Sequence, residues 1–387
     1  MRLHRKLWLD YYVGGFLHAV LKPCVVLLGK ILRRNHDLKS CSSVTLLKLM
    51  GGGSLIIAYP ALLALKRAPG IRELRLVTTP AVQPFAEILK VFDEILIIRD
   101  DSIATLAADG CKAIARLFRC DVVIDLEPHS RLTTVFSLLT CARNRVGFFT
   151  TISFWRRNLA THLLFFNVTS PVYRFYDQIA SLFSGHVQPF GECIDEFRAH
   201  FEMPACNSGR HQVAVAPCCS DLARTRMLLP AEWAIVVGRY LAAGGGTGVD
   251  VHLFAAPGQQ NEVESIRKQI QEKFPSAEVV NHAGRTSLQE TLQLLTTAEV
   301  LIAIDSALLH CARLLGIRTI SYWGPTAPDT LLRPSIPGHD TVHYEKLSCS
   351  PCVHLADRPP CNGNNICMRL SVEPDRSDSR EPCWVVS

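Results

Sequence analysis

Past Ser40 the chain alternates short, nearly continuous apolar runs with longer stretches whose apolar positions recur every three or four residues. The runs "SVTLLKLM", "LRLVTTP", "EILII" and "CDVVIDLE" read as strands, and "LIIAYPALLALKRA", which follows the break at "GGGS", has helical spacing. Residues 150–205, with "FWRRNLATHLLFFN" and "YRFYDQIASLF", read as helices closing this first series. The polar, turn-rich "EMPACNSGRHQ" reads as a linker. A second series follows: "QVAVAP", "VDVHLFAAP", "AEVVNHAG", "EVLIAID" and "RTISYWGPT". Strands alternating with helices predict an α/β fold with parallel sheets covered on both faces. The expected organisation is two Rossmann-like domains, 41–205 and 206–371, whose parallel sheets face a central cleft, with a mobile tail at 372–387. Such sheets bind ligands beyond the carboxyl ends of their strands, so the residues just after each strand are the ones to read.

Residues 1–39 break this pattern. They carry eight Lys and Arg against Asp10 and Asp37, a net charge of +6 that equals the formal charge of the whole chain. The folded body is therefore near neutral, which argues against a nucleic-acid binder. The apolar stretch Tyr11–Leu28 has Lys22 near its middle, a costly place for a charge in a bilayer, and no small-residue cleavage site follows it. The expectation is an amphipathic segment (1–40) lying on an anionic membrane surface, with Trp8, Tyr11, Tyr12 and Phe16 in the headgroup boundary; the alternative is a helix packed on the protein's own core. The 15 cysteines are scattered, and Cys111, Cys120, Cys141 and Cys311 sit in apolar runs, as reduced buried thiols do in a cytosolic protein.

The richest strand end is "EVLIAIDSALLHCARLLG". Asp305 closes a strand, Ser306 follows, and His310 falls in the first turn of the next helix. A helix N-terminus with a nearby hydroxyl and imidazole suits a phosphate group, whereas Asp305 suits capping, orienting His310 or binding hydroxyls. Equally, Asp305 can be a plain N-cap and His310 a core histidine. Thr326, in "GPTAP", lies at the next strand's exit. Ser287 and Glu290 have capping-box spacing.

Taken in order, Gly284-Arg285-Thr286-Ser287-Leu288, Asp305-Ser306-Ala307-Leu308-Leu309-His310 and Gly324-Pro325-Thr326-Ala327-Pro328 resemble the family 9 glycosyltransferases, typified by ADP-heptose:lipopolysaccharide heptosyltransferases. The resemblance spans nearly all of 41–370 and includes "KLMGGGSLIIAYPALLALKRA", "DVVIDLEPHSR" and the cysteine-rich end. It implies a GT-B fold and inverting transfer of a sugar, heptose in the common case, from a nucleotide-sugar donor to a lipid-linked or lipopolysaccharide-core glycan. No cofactor is required. It places Asp305, Ser306, His310 and Thr326 at the donor, with Ser220 and Arg224 or Arg226 ("APCCSDLARTR") at the diphosphate and Gln259 or Gln260 at the nucleoside.

One family feature is missing. The family's first glycine-rich turn ends in an acidic residue, its proposed base, whereas this chain has Gly51-Gly52-Gly53-Ser54. Serine has no useful basicity near neutral pH. Glu127 or His129, beyond the fourth strand, are the substitutes; in an extended run Asp125, Glu127 and His129 would share one side. Arg131 is then a candidate for an anionic acceptor, and Gly52, Gly53 and Ser54 for close backbone approach to it. Alternatively Asp125 only caps the next helix. At the end of the chain Cys349, Cys352, Cys361 and Cys367, with His354 nearby, admit a structural zinc, packing thiols or a disulfide formed on oxidation. The leading reading is a bacterial glycosyltransferase in the cytoplasm, peripheral on the inner face of the inner membrane. A catalytically silent relative that binds nucleotide sugar or glycan, and a sugar-nucleotide epimerase or hydrolase, are the alternatives.

Overall fold

The computed structural model describes residues 3–373 apart from 33, 152, 203–209, 244–247, 354, 357–358 and 360. Most of the expected linker, His354 and the tail beyond 373 lie outside the described residues. The chain forms two compact units, Met1–Gln188 and Pro189–Ser387. The division precedes the polar linker because the helix after Pro189 packs on a helix of the second series.

The first unit holds strands β1 (Ser43–Leu47), β2 (Glu73–Thr78), β3 (Glu94–Ile97), β4 (Val122–Asp125), β5 (Asn144–Phe149) and β6 (His162–Phe165). They form one parallel sheet in the order β3-β2-β1-β4-β5-β6. Its helices are α1 (Leu3–Leu32), α2 (Gly52–Ile57), α3 (Tyr59–Lys66), α4 (Gln83–Leu89), α5 (Ile103–Arg116), α6 (Arg131–Leu139) and α7 (Val172–Leu182). β5 and β6 occupy sequence expected to lie outside the strands or to be helical. Their runs "NRVGFF" and "HLLF" are short, and they extend the sheet outward, β5 pairing with β4 and β6 with β5.

The second unit repeats the arrangement. β7 (His211–Ala216), β8 (Val249–Leu253), β9 (Glu278–Asn281), β10 (Val300–Ile304), β11 (Arg318–Trp323) and β12 (Asp340–Tyr344) run parallel in the order β12-β11-β10-β7-β8-β9. Its helices are α8 (Phe190–Arg198), α9 (Pro230–Ala243), α10 (Gln260–Lys273), α11 (Leu288–Leu295), α12 (Ala307–Leu314), α13 (Pro328–Leu331) and α14 (Ile366–Val372). The central strands are unbroken apolar runs because both faces are covered: every residue of β10 is buried. Ser287 and Glu290 form the capping box on α11.

Each sheet reverses its strand order once, between β1 and β4 in the first unit and between β7 and β10 in the second. Those reversal points open a crevice at the strands' carboxyl ends, the usual ligand position in open α/β sheets.

The N-terminal helix inverts the expected placement of its polar groups. At ~1.5 Å per residue, α1 is about 45 Å long, and it is long and apolar enough by length and composition to cross a bilayer. Lys6, Asp10, Gly14, His18 and Lys22 fall at intervals of four and form a stripe turned toward the protein. Lys6 pairs with Asp100, and His18 Nε2 and Lys22 Nζ lie 3.0 and 3.3 Å from the Trp155 carbonyl oxygen. Gly14 and Gly15 let α1 approach α6: an added Cβ would meet Arg131 atoms at 2.8 and 2.7 Å. Trp8, Tyr11, Tyr12, Phe16, Val20, Leu27 and Ile31 stay exposed. Lys6 and Lys22 are thus held by protein groups and do not point outward.

Candidate functional site

At the first reversal point β1 and β4 end together, with Leu47 opposite Asp125. The next residue, Lys48, is buried, and its Nζ donates to Glu127 Oε1 at 3.1 Å. The same oxygen accepts the Leu49 and Met50 amides, each at 2.9 Å. Oε1 is therefore saturated, while no described residue donates to Oε2. Burial works against the Lys48 charge, but Glu127 and Tyr176 outweigh it and raise the ammonium's pKa above its ordinary value. Ser54 lies against buried Tyr176 of α7 and acts to lower a phenol pKa that burial raises. Ser54 is thus part of a Lys48–Glu127–Tyr176–Ser54 cluster.

His129 does not share a side with Asp125 and Glu127, which are both buried and joined by the Glu127 amide donating to Asp125 Oδ1 at 3.0 Å. The chain turns at Pro128-His129, leaving Glu127 buried and His129 exposed. Arg156, from the short 3₁₀ turn Phe154–Arg156, is fully buried and ties the connection down from inside. It donates to Asp125 Oδ2 at 2.9 Å, to Ser130 O at 2.9 Å and to the Glu127 carbonyl. Asp125 also accepts from Thr133 Oγ1 at 2.8 Å, but the N-cap of α6 is Ser130. Arg131 is engaged by α1: it donates to Tyr11 O at 3.0 Å and its guanidinium lies 4.5 Å from the Tyr11 ring centre. Gly52 likewise has a packing reason to be glycine, since a Cβ there would meet the Phe85 ring at 2.2 Å. Gly53 sits in the first turn of α2, and Gly51 supplies the left-handed turn before it, at φ 77°.

At the second reversal point the loops after β7 and β10 meet. Arg226 Nη1 donates to Asp305 Oδ2 at 2.9 Å, and His310 Nε2 lies 3.6 Å from Oδ1. Burial pushes the Asp305 carboxyl up, but its contacts with His310 and Arg226 outweigh burial and hold it far below the usual carboxylate range. Asp305 is not the cap of α12. Ser306 occupies the N-cap, yet its hydroxyl makes no capping hydrogen bond and is buried without a partner among the described residues. Thr326 Oγ1 is in the same condition. The two hydroxyls follow adjacent parallel strands, with Ile304 opposite Tyr322. Two buried, unsatisfied hydroxyls beside a helix N-terminus and a guanidinium make a site whose donors are not used up internally.

The remaining candidates are less open. Gln259 bridges its own loop, donating to Cys219 O at 2.7 Å and accepting from Ala256 N at 3.2 Å. Gln260 accepts from Gly258 N at 2.9 Å and packs on Gly284. Arg224 pairs with Glu262, and Ser220 is exposed. Cys349, Cys352, Cys361 and Cys367 line one small cavity with Leu347 and Ile366. Among the described residues no group of three or more His, Cys, Asp or Glu is arranged to hold a metal ion. Cys111 and Cys141 are exposed, contrary to the expectation from their apolar neighbours.

Lys48, Tyr176 and Arg156 were not legible as site residues. Lys48 carried one signal, being the single charge in an otherwise apolar strand run. Arg156 had none to set it apart from Arg157.

Residues 178–361 match the sequence model of glycosyltransferase family 9 (heptosyltransferase). No curated protein sequence matches the chain. Among solved structures, a family 9 glycosyl transferase from Veillonella parvula is 16% identical with a TM-score of 0.61, over 80% of this chain and 87% of that one. The E. coli ADP-heptose lps heptosyltransferase II is 15% identical at a TM-score of 0.59, over 79% and 91% of the two chains. E. coli heptosyltransferase WaaC with ADP-2-deoxy-2-fluoro heptose is 17% identical at a TM-score of 0.59, over 78% and 92%. The chain thus has the two-unit fold of the heptosyltransferases, and the stretch that matches glycosyltransferase family 9 lies mostly in its second unit.

Proposed function

We propose that the protein transfers a sugar, with inversion, from a nucleotide-sugar donor to a glycan acceptor on a lipid, such as a lipopolysaccharide core. The observation that carries this reading is the pair of unsatisfied hydroxyls, Ser306 and Thr326, beside Arg226 and the start of α12. A departing diphosphate needs fixed donors that do not have to reorganise as charge develops. Ser306, Thr326, His310, the α12 amides and Arg226 are the groups we assign to that task, with Ser220 and Arg224 on the preceding loop. An ADP-linked heptose is the donor favoured by the likeness to proteins that bear that name.

The base is Glu127 or His129. Glu127 has its Oε1 pinned by three donors, which fixes the direction of Oε2. A carboxylate held in this way meets the geometric requirement for general-base work, to remove the acceptor hydroxyl's proton as that oxygen attacks the sugar. His129, two residues on, is exposed and can serve the same purpose. We assign α1 to an anionic membrane surface at the cytoplasmic side, with its exposed aromatic and aliphatic face against lipid.

The test is release of nucleoside diphosphate from nucleotide sugars, ADP-heptose first, in the presence of lipid-linked acceptors. Turnover is expected in the wild-type chain, with a loss of about 100-fold or more in kcat for Glu127→Gln or His129→Ala, whichever is the base. Ser54, which lies against Tyr176 and offers no carboxylate, is the observation that favours the second reading, a silent binder. Tight donor binding without turnover over a broad acceptor panel would establish that reading and defeat the first.

A further inference from the structure

α6 begins with amide groups that its own turn cannot satisfy, as every helix does. Its N-cap Ser130 takes one of them: Thr133 N donates to Ser130 Oγ at 3.2 Å. The other groups are satisfied from a distant part of the chain. Asp10 of α1 accepts Arg131 N at 3.0 Å and Leu132 N at 2.9 Å, and Ser130 Oγ donates to it at 2.6 Å. This is a carboxylate cap supplied by a residue 120 positions away from the helix it caps. It is the one acidic residue of α1. The Gly14-Gly15 pair that lets the two helices approach, and the Arg131 guanidinium laid on Tyr11, belong to the same contact.

The connection from Leu126 to Ser130 is therefore held at two places. Arg156 holds it from the interior through the carbonyls of Glu127 and Ser130, and Asp10 holds it from the exterior through Ser130 and the first turn of α6. Glu127 and His129 lie between these holds. We infer that Asp10 is a positioning residue: through this cap α1 sets the placement of the Glu127–His129 connection, so that the helix offered to the membrane and the proton-accepting site form one mechanical unit. The inference rests on the function proposed above for Glu127 and His129. It adds that the helix which brings the protein to its lipid acceptor also completes the catalytic loop. A carboxylate at a helix N-terminus interacts with both the free amides and the helix dipole, so its loss loosens the first turn where the connection is anchored.

The experiment uses the full chain on vesicles containing anionic lipid, with Asp10→Ala, Asp10→Asn and, as a control for loosening α1 elsewhere, Lys6→Met. The readouts are hydrogen exchange at the Arg131 and Leu132 amides, donor Kd by calorimetry, and kcat against KM for the acceptor reaction. In Asp10→Ala those amides should exchange about tenfold faster and kcat should fall by about tenfold, with donor Kd within about twofold of wild type. Asp10→Asn keeps one acceptor oxygen and should recover part of both losses, while Lys6→Met should leave the two amides and kcat at wild-type values. Unchanged exchange in Asp10→Ala overturns the inference, and so does faster exchange with unchanged kcat. If the wild-type chain shows no turnover, the catalytic reading fails and the coupling to proton transfer falls with it; exchange at Arg131 and Leu132 still decides whether Asp10 holds the connection. A fold disrupted by Asp10→Ala would show as faster exchange in β1 and β4 as well, and Asp10→Asn, with the same shape and no charge, then supplies the decision.

Discussion

The two reversal points are built on one strand order, yet they commit different groups at their strand ends. Around β1 and β4 the Lys48 charge is paired, the Glu127 Oε1 has three donors and Ser54 lies against Tyr176, while the buried atoms without a described partner are Thr45 Oγ1, within β1, and Arg156 Nε. Around β7 and β10 the charges of Arg226 and Asp305 are paired, but the hydroxyls of Ser306 and Thr326 are buried with no partner among the described residues. An unsatisfied buried hydroxyl costs free energy until a partner reaches it, so two at adjacent strand ends can be answered together by one bound group. The first point resembles a clamp that orients a single oxygen. The second resembles a receptacle for a group rich in acceptors.

The largest test of this contrast is Asp305→Ala. It leaves the Arg226 guanidinium, mostly buried, without its counter-ion, and breaking such a pair from one side costs roughly 3–5 kcal/mol. Thermal unfolding of the full chain should show a loss of that order at pH 7. Asp305→Asn keeps the shape and one acceptor and should lose less. If Asp305→Ala unfolds at the wild-type temperature, the Arg226 pair is not formed in solution and the receptacle has no fixed wall.

The same pair predicts a pH dependence. The folded-state pKa of Asp305 lies below the ordinary value of about 3.9, so the unfolded chain binds the proton more readily than the folded one. Its contribution to stability is therefore complete above the ordinary carboxylate range and is lost as pH falls through that range toward the lowered folded value. The gap in unfolding temperature between wild type and Asp305→Asn should be constant from neutral pH down to about 5 and should narrow below about 4. A gap that stays constant down to pH 2 would mean that Asp305 titrates alike in both states.

What the sequence disclosed follows the same line between repeated pattern and tertiary context. Alternating apolar runs sufficed for the two parallel sheets, because strands covered on both faces must be continuous and apolar. β5, β6 and β12 escaped notice: they are flanking strands, and "HLLF" and "DTVHY" do not read differently from a loop or a helix end. Asp305, Ser306, His310 and Thr326 were legible because they stand directly after strong strands. Arg226 and Glu127 were visible as candidates, but their partners were not, since no local pattern reports that Lys48 meets Glu127 or that Asp10 meets Ser130 across more than a hundred residues. The reading of α1 missed one of its faces for a related reason. All its charges suggested contact with lipid, whereas Lys6, Asp10, His18 and Lys22, spaced by multiples of four, fall on one face, and the folded unit claims that face.

The smallest effect is also the one that best separates a receptacle from an imperfectly packed core. Ser306→Ala and Thr326→Val each remove a hydroxyl that has no described partner and leave a side chain of similar size. If the hydroxyls await a ligand, the ligand-free protein should be unchanged or more stable by up to about 1 kcal/mol, because an unmade hydrogen bond has been removed with both of its costs. Donor affinity should move the other way, falling by roughly fivefold to tenfold per hydroxyl, the size of one hydrogen bond made in the complex. Opposite signs in unfolding and in calorimetry are the signature of a group kept for binding. The parallel substitution in the first unit, Ser54→Ala, should instead destabilise the ligand-free protein, since the Ser54 hydroxyl faces Tyr176 and is not among the buried unpartnered groups. If all three variants shift in the same direction, the two crevices do not differ in the way their polar groups are committed, and the contrast on which the donor assignment stands is lost.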